Sequence, residues 1–205
     1  MTASAPAAHL AELNVATLRH PFDDPRMTPF VEMLDPVNSA ADGAPGFVWR
    51  LVEEGAADAT GLRPAGEDVI VNLSVWETQE ALWDFTYRSG HLEVMRRRRE
   101  WFERHVEAHL VLWWIPAGHL PTADEALERL ADLRAHGPSP RAFTFASSYT
   151  AAEAARHIQA VRPAHVEQAT RSARPTPAAD SAAVQVVSPN HGQASALLNP
   201  PVERA

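Results

Sequence analysis

The 205-residue sequence contains no cysteine. This absence excludes disulfide bonds, thiolate nucleophiles and metal sites built from cysteine sulfur. The chain also lacks an excess of basic residues: its formal net charge is -8 at pH 7, which argues against nucleic acid as a partner. No stretch approaches the roughly 18 consecutive apolar residues of a spanning helix, and residues 1–6 lack the basic start and apolar run of a signal peptide. We therefore expect a cytoplasmic protein without a membrane partner.

Several catalytic and metal-binding motifs are also missing. There is no glycine-rich phosphate loop and no Gly-x-Ser-x-Gly turn, which argues against nucleotide binding and serine-hydrolase activity. Ten histidines are present, but none belongs to a His-Glu-x-x-His motif. His105 and His109 fall in different predicted elements, one at the end of a helix and one at the start of a strand. We therefore predict no metal site.

Hydrophobic periodicity predicts strands and helices over residues 8–149. In chain order, we predict a strand over 8–18, a helix over 27–40, strands over 47–52 and 68–76, a helix over 78–107, a strand over 109–115, a helix after a Thr122–Glu125 capping box and a short strand over 141–149. Pro36 is expected to bend or interrupt the first helix. In the second strand, Phe47, Trp49 and Leu51 are expected to share one face.

The order of the first six elements is β-α-β-β-α-β, which is the ferredoxin-like pattern of an α+β fold with an antiparallel sheet. The strands carry apolar side chains on both faces, whereas this pattern places its helices on one face only. A second copy of the sheet would cover the other face, so the sequence predicts a homodimer.

The composition changes after Thr150, where alanine, proline and serine dominate. Residues 151–161 have the pattern of a short helix, and the residues beyond them have no aromatic side chains and little periodicity. Such a segment cannot bury enough apolar area to offset its ordering entropy. We therefore predict a folded domain over 8–149 and a disordered tail over 150–205.

The motif Val-Asn-Leu-Ser-Val-Trp-Glu-Thr-Gln-Glu-Ala-Leu over 71–82, followed by Tyr87-Arg-Ser-Gly-His91 and Arg97-Arg-Arg-Glu-Trp-Phe102, resembles the dimeric α/β-barrel superfamily. That superfamily includes antibiotic biosynthesis monooxygenases and haem-degrading monooxygenases. Within it, residues 9–149 are similar to a bacterial family of unknown function, and the opening His-Leu-Ala-Glu-Leu-Asn14 and the Trp113-Trp114 strand also fit. The resemblance implies a dimeric α/β barrel that binds its ligands between the helices and the sheet.

The candidate site combines polar side chains from the strands with one stripe of the helix over 78–107. Tyr87 and His91 are four residues apart and so neighbours on one helix face. His91 is the candidate general base, with Asn14 and Tyr87 orienting a substrate oxygen; alternatively, His91 is an inert residue at a helix kink. Further candidates for substrate binding are Trp76, Asn72, Arg98, Trp101, Trp49 and Trp113.

Two of these candidates have a simpler interpretation. Trp76 can be a core aromatic residue at a strand end. Arg98 can hold a substrate carboxylate at the pocket mouth, or it can belong to a solvated arginine run that pairs with neighbouring glutamates.

Two main functions remain open at this point. The first is a cofactor-independent enzyme, a monooxygenase, cyclase or isomerase, that acts on a hydrophobic small molecule. The second is a non-catalytic protein that binds haem or another apolar ligand. The resemblance implies that Asn14, Trp76 and His91 correspond to the asparagine, tryptophan and iron-binding histidine of the haem-degrading members. A third interpretation is an interaction module whose tail recruits a partner.

Overall fold

The computed structural model describes residues 8–88 and 91–161. Its strands are β1 (Ala8–Thr17), β2 (Phe47–Arg50), β3 (Val69–Trp76) and β4 (Leu110–Pro116). Its helices are α1 (Thr28–Asp42), α2 (Gln79–Arg88), α3 (His91–Arg97), α4 (Ala123–His136) and α5 (Ala151–Val161), with short 3-10 turns at Pro25–Met27 and Arg98–Glu100. Residues 151–161 of the predicted tail form α5, and the rest of the tail lies outside the described residues.

The four strands form one antiparallel sheet in the order β2-β3-β1-β4. This order is that of the ferredoxin-like β-α-β-β-α-β pattern, so the predicted α+β fold is confirmed. β1 pairs with β3 from Leu10 opposite Trp76 to Thr17 opposite Val69.

One face of the sheet packs against α4. Leu13, Leu73 and Trp113 are buried there together with Leu130 of the helix. The sequence argument for a dimer assumed that a single chain leaves this face open, and that assumption is wrong because α4 covers it. The homodimer itself stays a prediction.

The predicted helix over 78–107 is wrong in its extent. The helical segment ends with the 3-10 turn at Arg98–Glu100. Beyond it, the Glu103 N–H donates to the Thr17 carbonyl at 2.9 Å, and the Arg19 N–H donates to the Trp101 carbonyl at 2.9 Å. These backbone hydrogen bonds hold the chain against the end of β1, so the helix does not continue.

The predicted strand over 141–149 is also wrong. Only Phe143 bridges to the sheet, exchanging backbone hydrogen bonds of 2.8 and 2.9 Å with Leu112 of β4. Tight turns on both sides, which bridge Ser139 to Ala142 and Thr144 to Ser147, prevent a longer ladder. The first helix was expected to bend or break at Pro36. Pro36 lies inside α1, which runs from Thr28 to Asp42 without a break, so the expected interruption is wrong.

Candidate functional site

Four polar side chains lie on the face of the sheet that packs against α1 and α2. We call Glu12, Asn14, Asn72 and Ser74 the polar strip. Glu12 is paired with Ser74 and Asn14 with Asn72, so the four lie two by two on the inner strands. Alternation along each strand puts all of them on the same face.

Two apolar clusters border the polar strip. The first, packed against α2, contains Leu10, Trp76, Leu82, Leu112 and Phe143. The second, packed against α1, contains Leu18, Met27, Phe30 and Trp101, with Ile70 beside it. The strip is therefore a polar interruption in an otherwise apolar interface between the sheet and the helices.

Glu12 carries the carboxylate of the strip and is buried, with 4% of its surface exposed. Its Oε1 accepts a hydrogen bond from Asn14 Nδ2 at 2.9 Å, and its Oε2 accepts one from Ser74 Oγ at 3.1 Å. Ser74 Oγ in turn accepts from Trp76 Nε1 at 3.0 Å. Burial raises the pKa of Glu12 to about 7, although the bonds from Asn14 and Ser74 oppose this shift. Glu12 can therefore release and accept a proton near neutral pH.

The two asparagines form the open end of the strip. Asn14 is half-buried and Asn72 is exposed. Within residues 8–88 and 91–161, Asn14 Oδ1 accepts no hydrogen bond and the Asn72 side-chain amide makes none. Paired residues of adjacent strands have Cβ atoms roughly 5 Å apart. Two neighbouring amides thus offer unused donors and acceptors to a ligand.

The structure brings together three of the residues proposed from the sequence, Asn14, Asn72 and Trp76. Trp76 is a core residue, stacked on Phe85 at 5.2 Å and edge-on to Phe47 at 5.3 Å. Only its indole N–H reaches the polar strip, through Ser74. Trp76 is therefore a buried residue that contacts the strip through its hydrogen bond to Ser74, whereas Asn14 and Asn72 are the strip residues that a ligand can reach.

Trp49 and Trp113 do not join this group, because both pack on the other face of the sheet. Trp113 is buried on the α4 face, where its Nε1 donates to Glu125 at 3.3 Å. Trp49 packs against the same core because a bulge follows Phe47 in β2. The extra residue turns Phe47 and Trp49, which were expected to share a face, to opposite sides of the sheet.

The helical candidates are dispersed. Tyr87 is exposed on α2, 4.2 Å from the ring of Trp83 and 6.2 Å from that of Phe145. The side chain of His91 lies outside the described residues, so its proposed role as a base or as a haem ligand stays a prediction.

Trp101 and Arg98 lie away from the polar strip. Trp101 is buried in the second apolar cluster. Arg97 is the arginine that faces it, with its guanidinium 4.8 Å from the ring and paired with Glu100 at 2.9 Å. Arg98 is exposed and donates to the Met95 carbonyl at 2.7 Å. The predicted substrate contact of Arg98 therefore has no support from its placement.

His105 and His109 stack on each other, with ring centroids 5.0 Å apart. Burial lowers the pKa of His105, and the neighbouring His109 and Arg134 lower it further. In the part of the chain that the structure describes, no three histidine or carboxylate side chains are grouped to hold a metal ion.

Glu12 is the functional candidate that the sequence argument missed. Its signal was available: a carboxylate lies in the middle of an apolar strand, on the same face as Asn14 two residues later. A charged residue at such a position is rarely buried without partners.

A family model described as a domain of unknown function, DUF3291, matches residues 9–160. A search of curated proteins finds no significant match. None of the described helices has the length and apolar character needed to cross a membrane.

Several solved structures are similar to part of the chain. SnoaB from Streptomyces nogalater, a cofactor-independent oxygenase, is 15% identical over 57% of this chain and 97% of its own, with a TM-score of 0.37. Rv0793 from Mycobacterium tuberculosis is 14% identical over 56% and 98%, with a TM-score of 0.38. A conserved protein from Methanosarcina mazei Go1 is 10% identical over 54% and 93%, with a TM-score of 0.39.

Proposed function

Because the chain belongs to the DUF3291 family of domains of unknown function, we propose its activity from its own residues: a cofactor-independent enzyme that transfers a proton on a hydrophobic small molecule. The observation that carries this proposal is the polar strip. It joins a buried carboxylate with a pKa near neutrality to two amides with unused hydrogen-bonding groups. A general base works best when its pKa lies near the working pH.

The surroundings of the strip suggest the class of substrate. The apolar clusters on either side would contact the hydrocarbon part of a ligand, and Asn14 and Asn72 would bind an oxygen atom. Of the strip residues, Glu12 is the one that can take up a proton near pH 7. Removing a proton next to a carbonyl group makes that oxygen negative, and the side-chain N–H of Asn72, which has no partner in the described residues, can stabilise such an oxyanion. The resulting enolate is the starting point for isomerisation, cyclisation or reaction with dioxygen.

Deuterium exchange into an enolisable ketone tests this proposal without any cofactor. The probe is 2-tetralone, an apolar bicyclic ketone, in buffered deuterium oxide, with its mass measured over time. The wild-type protein is expected to accelerate exchange by at least about tenfold over buffer, since positioned proton transfer contributes about a hundredfold or more.

The matched control is Glu128→Gln, which changes an exposed carboxylate on α4 and should leave the exchange rate unchanged. Glu12→Gln should return the rate to that of buffer. Equal rates with and without the wild-type protein, or full activity in Glu12→Gln, would contradict the proposal.

We also propose that the chain forms a homodimer through β2. Among the described strands, β2 pairs on one side only, with β3, and Val48 and Val52 at this edge are exposed. The outer edge of β4, in contrast, is partly covered by Phe143. An unpaired edge strand is a ready surface for pairing with another chain. Native mass spectrometry should show a dimer that Val48→Lys dissociates; a wild-type monomer contradicts the proposal.

A further inference from the structure

The hydrogen bonds of the polar strip fix the orientation of one side-chain amide. Asn14 directs its Nδ2 to Glu12 Oε1 at 2.9 Å. An ionised carboxylate can only accept hydrogen bonds, so the opposite orientation, with Asn14 Oδ1 against Glu12, would place two acceptors together. Ser74 Oγ donates to the other carboxylate oxygen at 3.1 Å, so each oxygen of Glu12 accepts a hydrogen bond from a neighbouring side chain.

The fixed orientation decides what Asn14 offers to a ligand. With Nδ2 turned to Glu12, Oδ1 is the atom that accepts no hydrogen bond from residues 8–88 and 91–161. A donor that is bonded to a carboxylate also polarises the rest of its amide, which strengthens Oδ1 as an acceptor. Asn72 has no such partner in the same residues, so its amide can turn either way and imposes no preference.

We propose that Glu12 is a positioning residue that makes the site selective for ligands carrying a hydroxyl group, a phenol or an enol, by holding Asn14 Oδ1 toward the ligand. This inference rests on the proposed function, because it names the chemical form of the substrate at the same site. A site that prefers the hydroxyl form over the carbonyl form binds an enol more tightly than its ketone. Such a preference lowers the free-energy cost of enolisation, which is the step proposed above.

The test compares 2-naphthol with 2-methoxynaphthalene, which share one ring system and differ in the hydroxyl hydrogen. Dissociation constants are measured by isothermal titration calorimetry at pH 8, where Glu12 is mainly ionised. One neutral hydrogen bond contributes about 1 kcal/mol, so the wild-type protein is expected to bind 2-naphthol about fivefold more tightly.

Two variants of Glu12 distinguish a loss of the Asn14 orientation from a general loss of ligand binding. Glu12→Met keeps an unbranched side chain but removes the acceptor for Asn14, so the ratio of the two affinities should fall to about one. Glu12→Gln keeps an amide oxygen that can accept from Asn14, so it should restore part of the ratio. A merely structural role would weaken both ligands equally and leave the ratio intact.

The possible results distinguish the two proposals. An undiminished ratio in Glu12→Met, or equal affinities in the wild type, overturns the positioning role while leaving the site itself in place. If neither compound binds to the wild-type protein, the proposed site fails and the positioning role fails with it.

Discussion

Glu12 is expected to make the stability of the protein fall as the pH rises. Its pKa is raised from the ordinary value of 4.5 to about 7 in the folded protein, because burial penalises the carboxylate. The folded state therefore holds this proton more tightly than the unfolded state. The stabilising contribution is fully present below pH 4.5 and is lost as the pH rises through 7. At about 1.4 kcal/mol per pKa unit, the loss amounts to about 3 kcal/mol.

The substitution Glu12→Gln isolates this effect. Glutamine has nearly the same volume and stays neutral, its oxygen can accept from Asn14, and its nitrogen can donate to Ser74 Oγ. The variant should therefore have a stability close to that of the wild type at pH 5 and be about 3 kcal/mol more stable at pH 8. The assay is urea unfolding at pH 5, 6, 7 and 8, with the difference between the two proteins plotted against pH.

The difference in unfolding free energy between the two proteins cancels the contributions of the other titrating groups. The pKa of Glu100 is lowered by its bond with Arg97, and that of Glu153 by its bonds with Thr150, but both groups are present in both proteins. Glu128→Gln, which makes the same change at an exposed position on α4, serves as the control. A pH-independent difference for Glu12→Gln would refute the reasoning that burial controls the proton affinity of Glu12.

Four further substitutions test the packing of the fold by urea unfolding. Arg97→Ala should lower the unfolding midpoint through the lost contact with Trp101, whereas Arg98→Ala should leave the midpoint almost unchanged; equal effects would contradict the assignment of Arg97 as the inward arginine. Thr122→Ala removes the cap that accepts from the N–H three residues later and should cost about 1 kcal/mol; an unchanged midpoint would mean that α4 needs no cap. Leu130→Ala should cost about 3 kcal/mol because it leaves a cavity between α4 and the sheet, and a loss below about 1 kcal/mol would contradict that packing.

The sequence predicts the inner strands well because their alternation is strict. Strand periodicity puts Asn72 and Trp76 on one face of their strand, and the register of β1 with β3 adds Asn14 to the same face of the sheet. This alternation is a local property, so it can be read without knowing the partner strand. The same alternation puts Glu12 on the face of Asn14. The burial of Glu12 cannot be predicted from alternation, because it depends on the helices that pack on that face.

Periodicity fails where a single residue changes the geometry. The bulge after Phe47 moves the side chain of Trp49 to the opposite face of the sheet. No residue type at that point in the sequence indicates a bulge. The end of the helical segment near Glu100 likewise depends on backbone bonds to residues 17–19, far away in the sequence. The packing of α4 on the other face of the sheet also depends on contacts between residues far apart in the sequence. These features are set by tertiary contacts, which single-sequence patterns do not encode.

The most direct test of the polar strip as the binding site is a nuclear magnetic resonance titration with 2-tetralone that follows the side-chain amide signals. The account predicts that the signals of Asn14 and Asn72 shift together and saturate, while the signal of Asn38 on α1 stays in place. If the signals of Asn14 and Asn72 stay fixed at saturating 2-tetralone, the ligand does not bind at the polar strip, and the central claim is contradicted.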